Sequence, residues 1–156
     1  VIYCMAGLAL SAESYAVTLL AAWLSAESAV SFGHLTSVIS PSFKVAMAVH
    51  IPIILPLFIT AGLFINAGTV PWYLVWCQWI SFYYYSYEMM CSSQFTSSAV
   101  FPGCEQKECP LNTGQEVLSS LAFSSKNTWK LDLPMLLFLI LFYRTLALIG
   151  MKIRAK

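Results

Sequence analysis

The residues able to do chemistry are few, and their spacing says what kind. Glu27, Ser31 and His34 stand at i, i+4 and i+7, which places an acid, a hydroxyl and an imidazole on one face of a helix. Such a stripe can relay polar contacts through a moving bundle. It can equally make one interhelical hydrogen bond, worth about 1 kcal/mol. On either reading it looks into protein or water and not into lipid. Glu88 closes a run of aromatic residues, where it serves as a structural hydrogen-bond partner or meets a substrate. Cys104 and Cys109 lie in the most polar part of the chain. They read as an oxidised pair on a non-cytosolic side, closing a small loop worth about 2 kcal/mol, or as two free thiols. No His or third Cys is near them, so no metal site is expected. No GxxxxGK[ST] loop occurs, so the chain has no nucleotide site of its own, and no catalytic residue is expected.

Composition says what must hold these residues. The chain is 59% hydrophobic, 15% aromatic and 10% charged, against about 25% charged in soluble domains. Too few charges remain for a water-facing surface, so this is a membrane protein. A net charge of +1 suggests no nucleic-acid partner. No signal peptide is evident, and the opening VIYCMAGL, without an initiator Met, reads as a piece of a longer protein.

Three segments are long and apolar enough to span. Residues 15–39 hold Glu27 near the middle, a cost of about 3 kcal/mol on the insertion scale, offset by Leu19, Leu20, Trp23 and Leu24. Residues 45–66 carry no charge, can cross about 30 Å of hydrocarbon, and contain Pro52 and Pro56. Each proline removes a hydrogen bond to the residue four earlier, so the helix should bend or loosen around His50 to Pro56. Residues 133–151 form the third span, with Arg144 expected to snorkel from its C-terminal end. Between the last two, residues 72–94 are aromatic and favour the headgroup level; they read as a helix pair that dips into the interface. Residues 95–130 form a polar loop with a short helical period at Val117, Leu118 and Leu121.

The expected fold is therefore all-α and membrane-embedded: three transmembrane helices, an outer re-entrant aromatic helical hairpin and an extracellular loop. The basic C-terminus should be cytosolic by the positive-inside rule. That places the loop outside, in agreement with an oxidised Cys104–Cys109 pair.

These segments, in this order, resemble the G subfamily of ATP-binding-cassette transporters, the White-type half-transporters. The resemblance rests on VIYCMAGL, Ser31-Phe32-Gly33, Ser40-Pro41-Ser42, Pro56 with GLFIN and Val70-Pro71-Trp72. It continues through Tyr85-Ser86-Tyr87-Glu88, Gln94-Phe95, the Cys-bearing loop, and Arg144 with KIRAK. Cys4, Tyr84, Ser93 and Glu27 depart from the family's usual residues. The resemblance implies the C-terminal part of an ABC-2-type transmembrane domain, in a plasma or vesicle membrane. It also implies homo- or heterodimers of half-transporters and lipophilic small-molecule or lipid cargo, with ATP and Mg held by a nucleotide-binding domain outside this chain. It places Ile51, Leu55 and Phe58 against a central substrate cavity, where the alternative is ordinary helix packing. It makes Leu63 and Phe64 a gate, where the alternative is simply the end of a span. The rival from another class is a small polytopic membrane scaffold with the aromatic run as its interaction surface.

Overall fold

The computed structural model describes Met5 and residues 11–95, 114–123 and 128–154. Cys104 and Cys109, most of the 95–130 loop, and the opening segment apart from Met5 lie outside the described residues. Among the described residues every regular element is helical. They are α1 (Ala12–Ile39), α2 (Phe43–Ile59), a 3-10 turn (Ala67–Thr69), α3 (Val75–Ile80), α4 (Phe82–Gln94), α5 (Gly114–Ser120) and α6 (Thr128–Arg154).

The boundaries follow from local chemistry. Ser11 caps α1, its side-chain oxygen accepting from the Ser14 backbone N–H at 3.1 Å. Pro41 disfavours helical geometry at Ser40 and ends it. The carbonyls left over at that end are met from the far end of α6: Arg154 Nη1 donates to Val38 O at 3.2 Å and to Ser40 O at 2.9 Å, a cation placed on a helix C-terminus. Ser42 caps α2 in the same way as Ser11 caps α1.

The 28-residue α1 and the 24-residue stretch Leu131–Arg154 of α6 are long and apolar enough to cross a membrane. The third expected span is corrected at its outer end. The apolar run predicts a helix to Asn66, but α2 stops at Ile59 after 17 residues, about 25 Å, shorter than a hydrocarbon core of about 30 Å. Gly62 is the reason. Its φ of +99° is closed to a helix, and a Cβ there would meet Phe123 Cζ at 2.7 Å. The chain turns there, and the loop's Phe123 lies against the glycine.

The core lies between α1, α4 and α6. Val17, Ala21, Leu24 and Phe32 of α1 meet Phe82 and Met89 of α4 and Leu136, Leu139, Ile140 and Tyr143 of α6. The α6 positions recur at helical spacing, and this stripe fixes which face of α6 turns inward. Ser28 and Ser31 are fully buried on α1, and small side chains there allow close helix approach. At the far end, a Cβ on Gly150 would lie 2.8 Å from Val38 Cγ1. α2 is attached more loosely: only its Ala46, His50, Ile54 and Leu57 positions are sheltered. A second small cluster, Cys91, Leu118 and Phe123, seats the described end of the loop on α4 beneath Tyr84 and Tyr87.

Candidate functional site

Arg144 joins the polar residues of α1. Its side chain turns onto α1, ten residues before α6 ends at Arg154. Its Nη2 lies 2.5 Å from Glu27 Oε2, and its Nε donates to Ser31 Oγ at 3.1 Å. Ser31 in turn donates to the Glu27 carbonyl at 2.7 Å. A lone charge inside a span is costly, and an opposite charge on the facing helix relieves both. His34 sits one turn further on. It is exposed and lines a cavity of about 560 Å³ between α1 and α6, together with Arg144, Val38 and Leu148. The sequence-level stripe of Glu27, Ser31 and His34 is thus joined at two of its three members. Arg144 is the member that reasoning along one helix could not supply.

His50 packs inward from α2. Its ring lies 5.4 Å from that of Phe32, and its Nδ1 lies 3.2 Å from Thr36 Oγ1.

Ile51 and Leu55 lie on the side of α2 turned away from the bundle, 50% and 48% exposed, while Phe58, 37% exposed, flanks that side and turns its ring toward α4. Gly62, the next position in that stripe, is in the turn and no longer on the helix. Leu63 and Phe64 follow in the same turn, both exposed. Phe58 bridges the two groups, its ring 5.3 Å from Phe64 and 5.2 Å from Tyr83. Phe58 and Leu63 also line a pocket of about 200 Å³ with Ser25, Tyr83, Tyr87 and Met90.

The aromatic segment is two helices broken at Ser81, and that corner is bonded to the end of α2. Ser81 Oγ donates to Leu57 O at 2.8 Å, and Gln78 Nε2 donates to Thr60 O at 3.3 Å. Helix C-termini leave carbonyls without intrahelical donors, and these two side chains supply donors to the last turn of α2. From the other side, the Tyr143 hydroxyl donates to Ile80 O at 3.1 Å. Trp72, Trp76 and Trp79 are exposed around the corner, the placement that headgroup-level residues take.

Glu88 is buried on α4, hydrogen-bonded with Tyr84. Burial first, then the nearby Glu88 charge, hold the Tyr84 phenol well above its usual range. Burial and a hydrogen bond with Cys91 push Tyr87 to about 12. Asp132 of α6 is equally buried, and among the described residues its Oδ2 has no hydrogen-bond partner. Cys77 and Cys91 are buried free thiols. Among the described residues no group of three or more His, Cys, Asp or Glu could hold a metal.

Comparison with known proteins gives this geometry a context. Residues 1–95 match the family model described as ABC-2 type transporter. Protein white of Drosophila melanogaster is 35% identical over 138 residues, covering 85% of this chain and 20% of that protein. ABC transporter G family member 1 of Dictyostelium discoideum is 28% identical, covering 85% and 17%. The ABC transporter ATP-binding protein/permease wht-1 of Caenorhabditis elegans is 26% identical, covering 99% and 24%. The chain spans about a sixth to a quarter of the length of these relatives.

Proposed function

Because the chain belongs to the ABC-2 type transporter family, we propose that it forms part of the membrane wall of a White-type, G-subfamily half-transporter that works as a dimer. ATP binding and hydrolysis in a nucleotide-binding domain, with Mg, drive a change of access in a central cavity. Lipophilic small molecules or lipids move through it. On this reading α2 completes a third, short span and α3–α4 form the outer re-entrant hairpin. Leu63 and Phe64 close the cavity at its outer end, and the C-terminus is cytosolic.

One observation carries the reading. α2 is a nearly uniformly apolar helix with one face on the bundle, the Ile51 and Leu55 side left open, and Phe58 at the edge between them. An open apolar wall, duplicated in a second subunit, makes a chamber in which affinity comes from area removed from water, about 25 cal/mol per Å². The test is transport by the full-length dimer carrying Leu55→Ala or Leu63→Ala at matched surface expression. Leu55→Ala should change the substrate profile, and Leu63→Ala should change turnover or leak. An unchanged profile and an unchanged turnover refute the cavity and the gate respectively.

A further inference from the structure

Pro52 and Pro56 both lie inside α2, which continues through them as one helix. Proline has no N–H to give the carbonyl four residues earlier, so the carbonyls of Ala48 and Pro52 lose their intrahelical donors. Their position is what matters. The sheltered positions of α2 are Ala46, His50, Ile54 and Leu57, while Ala48, Pro52, Leu55 and Ile59 are exposed. At 3.6 residues per turn these two sets lie on opposite sides of the helix. Both donor-less carbonyls therefore sit on the open side, one turn apart, beside Ile51 and Leu55. At membrane depth a backbone acceptor facing hydrocarbon is costly, so a hydrogen-bond donor arriving on this side of α2 is favoured there.

We propose that the Ala48 and Pro52 carbonyls are a hydrogen-bonding site for the transported compound, which makes the preferred cargo a lipophile carrying an O–H or N–H donor. The apolar stripe supplies affinity without direction, and the two acceptors supply orientation. A cargo with two donors about one helical turn, ~5.4 Å, apart can engage both. This rests on the cavity reading of α2 and adds the chemical class of what the cavity takes.

The experiment uses the full-length transporter with its partner subunit in lipid nanodiscs. Two probes are compared: a BODIPY-labelled fatty alcohol and its methyl ether, the same lipophile with and without the donor. The wild type should bind the alcohol about fivefold more tightly, the factor carried by one net hydrogen bond of about 1 kcal/mol. Pro52→Ala returns an N–H to the Ala48 carbonyl, and Pro56→Ala returns one to the Pro52 carbonyl. Either change should bring the ratio toward one by weakening the alcohol while leaving the ether within twofold. A ratio near one in the wild type, or an unchanged ratio in both variants, overturns the proposal and assigns the acceptors to water or a neighbouring helix. Equal weakening of both probes by the proline variants overturns it too, because only the shape of α2 then matters. Leu55→Ala separates the two readings. If it weakens neither probe, the cavity itself is refuted; if it weakens both while the wild-type ratio is one, the cavity stands without the acceptors.

Discussion

Removing one partner of the Glu27–Arg144 pair tests whether its strength comes from membrane depth. The two side chains are 36% and 49% exposed in this chain. In water such a pair would contribute under about 1 kcal/mol. Within a span, a charge stripped of its partner costs about 2.5–3.5 kcal/mol on the insertion scale. Glu27→Gln keeps the shape and leaves Arg144 its bond to Ser31, so a loss near 2 kcal/mol is expected. Arg144→Gln leaves Glu27 charged and without its partner, and should cost about 3 kcal/mol. The double variant carries no charge at either site. It should cost well under the sum, giving a coupling of about 2 kcal/mol in the double-mutant cycle. Equilibrium unfolding of the full-length protein in mixed micelles against SDS reads all four proteins. A coupling below about 0.5 kcal/mol would show a hydrated pair of the ordinary surface kind, and would refute the reasoning from membrane depth.

Two further substitutions probe the end of α2. Gly62→Ala forces a Cβ into Phe123 at a backbone angle that alanine avoids, so a loss of about 2–3 kcal/mol is expected. The paired variant Gly62→Ala/Phe123→Ala should recover the clash but not the backbone strain; full recovery would show that φ at this position is free to relax. Ser81→Ala removes both the cap on α4 and the donor to Leu57 O, and should cost about 1–2 kcal/mol. The same SDS titration checks it, and a change within 0.5 kcal/mol, on the order of a surface substitution, would show that water replaces the hydroxyl.

The helical class and the two longest spans were legible because apolar length and helical period are local properties of a sequence. α1 begins and ends within three residues of the expected 15–39, since Ser11 and Pro41 are local signals. The outer end of α2 was not legible. The chain from Thr60 to Asn66 is apolar enough to continue a helix, and the positive φ at Gly62 that turns it is matched by Phe123, some sixty residues away, lying against that glycine. Arg144 illustrates a different limit. Charge economy in a span demands a counter-charge for Glu27, and Arg144 is the one basic residue deep in the last span. The pairing was therefore available to an argument across two helices but hidden from one made along each. The stripe of Ile51, Leu55 and Phe58 was readable as a spacing, whereas the turn of Ile51 and Leu55 away from the bundle, and of Phe58 toward Tyr83, needed the packing of α2 on α1 and α4. Ser81 and Gln78 carried no readable signal, because donors to a helix end look like any other polar residue in an aromatic run.

The bonds from Ser81 and Gln78 to the last turn of α2 bear on where this wall can flex. Sliding α2 against the hairpin would strip donors from two backbone oxygens, Leu57 O and Thr60 O, in one movement. The top of α2 and the α3–α4 corner are thereby latched into one mechanical piece. Eight and twelve residues below Thr60, the same helix is missing two rungs of its own ladder, at Pro52 and Ala48. Stiffness at the top and slack at the middle make α2 a jointed lever, so an opening stroke should pivot between His50 and Pro56 and carry the aromatic corner along with it.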